Sequence, residues 1–256
     1  MSDISVPLAY RTSAADASAR SVTAPSAPLG LWATLAWGSA GILAILSVWL
    51  MLMAGIRLPW LLQFLPTSHI ALAIVVLSAV LLSRRRLREY LALMPLSWRD
   101  VGRGIGYGVI GYVGFVLLLG LLAMLQAMFV QGEPTGATPI VGGPLTISTI
   151  LFLISYWMVM LVAAPITEEL LFRGLLYRGL ESRLGAAATI VLTSVVFGLL
   201  HAPGFGWIRV VATGSLGLLF GWLRWRTGST SVSILAHATV NFIGAMIGTA
   251  LILLTP

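Results

Sequence analysis

From Leu31 to Leu254 the chain is a succession of apolar runs, most of them near the ~20 residues a helix needs to cross a hydrocarbon core of roughly 30 Å. Candidate spans lie near 31–55, 61–82, 104–130, 146–164, 165–183, 186–203, 207–223 and 231–254. Hydrophobic residues make up 59% of the 256 and charged residues only 9%, with a mean hydropathy of +1.00, a ratio at which no water-soluble domain is built. The predicted fold class is therefore all-α: a polytopic membrane helix bundle of about eight transmembrane helices, with almost no room for a soluble domain.

The net charge of +7 comes entirely from arginine, since all 15 basic residues are Arg. That choice reads as codon bias and hints at a high-GC bacterium. Arg84, Arg85, Arg86, Arg88, Arg99 and Arg103 crowd beside helix ends, where they act as topology signals and meet anionic headgroups. Nucleic acid is not an expected partner. Placing the 84–103 loop in the cytoplasm, with two spans before it, puts the N-terminus in the cytoplasm of a multi-pass inner-membrane protein.

Residues 1–29 are rich in Ser, Ala and Pro and cannot bury enough surface to offset their ordering entropy, so a disordered cytoplasmic tail is expected. No short apolar segment precedes a cleavage site there, which excludes a signal peptide. One membrane-embedded domain should occupy 30–256. Within it 131–145, "QGEPTGATPIVGGPL", breaks the pattern and by parity faces outside. Cysteine is absent, so disulfides, thiolate metal sites and a cysteine nucleophile are excluded.

Against this background "APITEELLFRGLLYRGL", residues 164–180, is anomalous. Pro165 suits a helix start, and a helix dipole would favour Glu168 and Glu169 just after it. Arg173 falls one turn beyond Glu169 and can pair with it, whereas Glu168 points roughly 100° away and lacks that partner. Ionisable groups inside a membrane segment are costly, and by default they mark function. His201 lies as far beyond the probable turn at Leu184 and Gly185 as Glu168 lies before it, so an antiparallel hairpin sets both at one depth. His237 and Asn241, four apart, share one face of the last span. Taken singly, the glutamates also read as a structural helix-start ion pair, His201 as an interfacial or satisfied polar group, and His237 and Asn241 as interhelical glue. Converging from three helices, they would make a watered site in lipid, able to activate water with a carboxylate and an imidazole and to hold an oxyanion with His and Asn donors. Ser194 and Ser233 have no base partner in sequence, which leaves a serine nucleophile weakly supported.

"EELLFR" (Glu168–Arg173), "FGLLH" (Phe197–His201) and "HATVN" (His237–Asn241) resemble, in order, the EExxxR, FxxxH and HxxxN motifs of the CPBP family, the CAAX-prenyl-protease and bacteriocin-processing (Abi) intramembrane glutamic endopeptidases. The likeness covers about 145–254, the protease core. It implies that Glu168 and His201 activate water, that His237 and Asn241 form the oxyanion site, and that Glu169, Arg173 and Phe197 support them. It also implies a membrane-associated peptide or protein substrate and no cofactor, although Glu168, His201 and His237 are plausible zinc ligands by donor type. The other classes are a transporter or proton relay using the same Glu/His cluster, and a membrane scaffold. Two features strain the span pattern. A full crossing at 165–183 sends Arg178 and Arg183 outside, so that helix should be tilted or partly inserted, and the convergence of His201 with His237 asks for a short or slanted helix at 207–223.

Overall fold

The computed structural model describes residues 27–55, 66–129, 146–202 and 206–254. Nearly all of the expected tail at 1–29 and the whole outer loop at 131–145 lie outside the described residues, as does part of the expected span at 61–82. Among the described residues all regular structure is helical. The order is α1 Leu31–Met53, α2 Thr67–Leu82, α3 Leu87–Tyr90, α4 Trp98–Phe129, α5 Ile147–Met158, α6 Ala164–Glu169, α7 Tyr177–Leu199, α8 Gly206–Thr227 and α9 Thr230–Leu254. Four described helical segments, starting at Trp98, Ile147, Gly206 and Thr230, are long and apolar enough to cross a membrane. Leu31–Ser47 and Thr67–Leu82 are shorter apolar stretches. The described residues thus do not add up to the eight crossings expected.

The largest departure from expectation is at Pro165. The chain does not start a helix there. A π-helical segment, Val159–Ala163, joins α5 to α6, a second, Leu170–Leu176, joins α6 to α7, and helical dihedrals run through both junctions. An α-helix cannot take an interior proline without losing a hydrogen bond and crowding the carbonyl four residues back; a π turn just upstream relieves both. What reads as two spans, 146–164 and 165–183, is one helical stretch that ends where Gly185 takes φ 74° and ψ 166°. The anticipated turn at Leu184 and Gly185 is therefore present, and glycine is the residue that accepts this dihedral without strain.

Merging those two segments removes one crossing and with it the conflict over Arg178 and Arg183. Thr230 N–H donates to Ala92 O (2.9 Å), Leu29 N–H donates to the Tyr90 hydroxyl (3.2 Å), and Leu91 packs on Gly174. The loop after α2, the C-terminal part of the long helix and the α8–α9 turn therefore meet at one end of the bundle. Arg84–Arg88, Arg178, Arg183, Arg224 and Arg226 gather there.

Two apolar clusters hold the bundle. One joins α1 and α2 to the second π segment through Leu72, Val76, Leu171, Phe172 and Leu175; the other joins α8 to α9 through Phe220, Leu223, Val232 and Ala236. Outward faces remain apolar, as on α4 with Ile110, Leu117 and Met128, which suits a solvent of lipid chains.

α7 and α8 cross on small residues. A methyl group added at Gly198 would meet Val210 O at 2.5 Å and Gly214 Cα at 3.1 Å, both backbone atoms that can yield only if the helices part. Gly198→Ala is expected to cost about 1–3 kcal/mol and, because His201 follows three residues later, to disturb the site as well. Gly106→Ala, with nothing within 4 Å of the added carbon, is the control. Thermal unfolding of both variants in lipid nanodiscs checks this.

Candidate active site

The two π segments do more than accommodate Pro165. Ala164 N–H bonds to Val159 O, five residues back, and the matching donor for Met160 O would be residue 165, a proline with no N–H. Met160 O instead accepts from Asn241 Nδ2 at 3.0 Å. One amide proton of Asn241 is used in this way, and the second stays available on the partly buried side chain. At the second segment Tyr177 N–H reaches back to Phe172 O, and Arg173 O accepts from Arg224 Nε at 3.1 Å. Displaced carbonyls of this helix thereby anchor α9 and α8.

Glu168 and Glu169 lie deep in this helix, far from the Ile147 end, so a helix-start dipole does not explain them. Glu169 is wholly buried. Its Oε1 accepts from Arg173 Nη1 at 3.1 Å, which is the expected one-turn pair, and from His237 Nδ1 at 3.0 Å. Arg173, also wholly buried, donates through Nη2 to Gly217 O at 2.6 Å. Its guanidinium sits 5.6, 5.0 and 5.6 Å from the Phe172, Phe197 and Phe220 ring centres, a cation–π enclosure that offsets part of its lost hydration.

Hydrogen bonding fixes both site histidines. A carbonyl oxygen can only accept, so the 2.8 Å contact between His201 Nδ1 and Phe197 O places a proton on Nδ1 and leaves Nε2 for other work. The same reasoning at Glu169 protonates His237 Nδ1. The His237 ring stacks on Phe220 (4.9 Å, 17°), and Phe197 contacts both imidazoles at 4.9 and 5.9 Å. Phe197 is thus a brace between them.

Phe197, His201, Arg209, Phe220, His237 and Asn241 line one cavity of ≈ 90 Å³, room for several waters. The anticipated convergence of His201 with His237 and Asn241 is therefore present. It needs no shortened helix, since α8 spans 22 residues and lines the cavity from Arg209 to Phe220. Glu168 is not among the lining residues. It lies within electrostatic reach of His201 and His237, with Oε1 3.5 Å from Nε2 of His69. Its Oε2 is buried and takes no hydrogen bond among the described residues. Sequence reasoning passed over His69, although it is the third histidine of the chain and sits in an apolar run just as His201 does. Arg209 in the cavity wall was likewise not anticipated. Among the described residues no group of three or more His, Cys, Asp or Glu side chains has metal-site geometry.

Residues 150–243 match the family model described as type II CAAX prenyl endopeptidase, Rce1-like. This segment is an Rce1-like domain. It lies inside the 145–254 stretch expected from the motifs, and it contains Glu168, Glu169, Arg173, Phe197, His201, His237 and Asn241. No curated protein and no solved structure matches the chain. The match implies peptide-bond hydrolysis as the class of chemistry, and the four described helical segments long and apolar enough to cross a membrane support a multi-pass membrane protein. His69 and all of α1–α4 fall outside the matched segment.

Proposed function

We propose that the Rce1-like domain is a glutamic intramembrane endopeptidase that cleaves a membrane-associated peptide or protein. The observation that carries this reading is the cavity lined by His201, His237 and Asn241, each held by a hydrogen bond, with Glu168, whose buried Oε2 takes no hydrogen bond among the described residues, in electrostatic reach of both histidines. Glu168, helped by Nε2 of His201, takes a proton from water as the water oxygen bonds to the scissile carbonyl carbon. The oxyanion so formed accepts from the free amide proton of Asn241 and from an N–H at Nε2 of His237, whose ring is fixed by the bond between Nδ1 and Glu169. As the C–N bond breaks, the proton held by Glu168 and His201 passes to the leaving amine. Arg173 holds Glu169 in place. The proton-relay alternative finds no support among the described residues.

By the positive-inside tendency the arginine-rich end faces the cytoplasm, so His237, seven residues from Thr230, works about 10 Å in from that side of the inner membrane. The test is cleavage of a fluorescence-quenched library of membrane-associated peptides by the protein in nanodiscs, with and without chelator, and with Glu168→Gln alongside. Cleavage by the native chain alone, indifferent to chelator, is the expected result; cleavage by both proteins, or its loss on chelation, refutes the mechanism. Asn241→Ala is expected to lower kcat by about 10²-fold, the usual consequence of removing one oxyanion donor, with a smaller change in KM.

A further inference from the structure

All three histidines of the chain surround Glu168, and the third comes from outside the matched domain. His69 lies in the first turn of α2, which packs on the glutamate-bearing helix through buried Leu72 and Val76. A Cβ added at Gly41 of α1 would meet Leu171 and Leu72 at 2.8 and 3.2 Å, so α1 and α2 are closely seated against that helix. The side chains of His69 and Glu168 are only 14% and 9% exposed at their 3.5 Å contact, longer than an ordinary N–H···O hydrogen bond but short enough for a strong electrostatic one in so buried a place. Ser68 Oγ is 3.3 Å from His69 Nδ1. An ionised carboxylate only accepts, so the proton lies on Nε2, and Nδ1 takes the serine hydroxyl. His201 and His237 use Nδ1 for a backbone carbonyl and for Glu169; His69 alone turns Nε2–H to Glu168.

We infer that His69 is a positioning residue for Glu168, contributed to the site by the α1–α2 pair. A glutamate carboxylate turns easily about its last torsion, and a base must aim one oxygen at its water. His69 holds Oε1, which leaves Oε2 as the working oxygen. The other charged and titratable groups that act on Glu168 are His201 beyond α7, His237 on α9 and, five residues along the same helix, Arg173. The matched domain supplies the reacting groups, while the N-terminal helices fix the aim of the base.

This inference rests on Glu168 being the base, so its test uses two readouts on the full chain in nanodiscs. In peptide cleavage, His69→Leu is expected to lower kcat about tenfold to hundredfold with KM nearly unchanged, and His69→Gln, whose amide N–H replaces the Nε2–H, to restore most of the rate. In thermal unfolding, His69→Leu is expected to lower the melting temperature more in the native background than in Glu168→Gln, because only the carboxylate is left buried without its partner. Native kcat in His69→Leu, equal impairment of the Leu and Gln variants, or the same melting shift in both backgrounds overturns the inference. Should Glu168→Gln still cleave, the reading of Glu168 as base fails instead, and the thermal comparison still judges the contact.

Discussion

Glu168→Gln is expected to lower kcat by about 10⁴-fold or to background, the upper range for removal of a general base, while the protein keeps its melting temperature. The two results belong together. Glutamine retains an oxygen at the place that faces His69 Nε2, and it places an amide where Oε2 stands buried without a hydrogen bond among the described residues. Folding therefore loses little. Chemistry loses the carboxylate that takes the water proton, and His201, whose Nδ1 is committed to Phe197 O, keeps only Nε2 to act without it. Steady-state cleavage and thermal unfolding on one preparation check both halves. A fall in melting temperature that accompanies the fall in rate would make Glu168 a structural residue.

The motifs made the site legible because helical periodicity converts sequence spacing directly into shared faces. Four residues between Glu169 and Arg173, and four between His237 and Asn241, are one turn each, and both pairs act from one face. The hairpin argument also held, since Gly185 breaks the helix where Glu168 and His201 are equidistant from the turn. The break assigned at Pro165 failed because proline signals a helix start only on average. Whether the helix can absorb it in a π turn depends on carbonyls finding partners elsewhere, here Asn241 on Met160 O, and that is a long-range fact. The conflict over Arg178 and Arg183 came from the same boundary, since only a separate crossing at 165–183 sent them outside. His69 was missed for a different reason: it belongs to no motif, and only the packing of α2 against the glutamate helix reveals its role.

Five residues along the helix from Glu168, Arg173→Met is expected to have the opposite signature, a loss of stability of about 3–5 kcal/mol, as when one partner of a buried ion pair is removed. Methionine fills much of the space among Phe172, Phe197 and Phe220, but Glu169 Oε1 loses one of its two donors and Gly217 O loses its only side-chain donor among the described residues. Such a loss corresponds to a drop of roughly 10 °C in melting temperature, at about 2–4 °C per kcal/mol for a chain of this size. Arg173→Lys should fall between, because a single ammonium keeps the charge but cannot span both acceptors or lie flat among the rings. Adding Glu169→Gln to Arg173→Met should recover part of the stability, since it removes the orphaned charge, yet it should not recover activity, because His237 then lacks the carboxylate that fixes its ring. Melting curves of the three variants and the native chain in nanodiscs check the order. If Arg173→Met melts with the native chain, the buried pair does not hold α8 to the glutamate helix, and the division between a reacting Glu168 and an anchoring Glu169–Arg173 pair collapses.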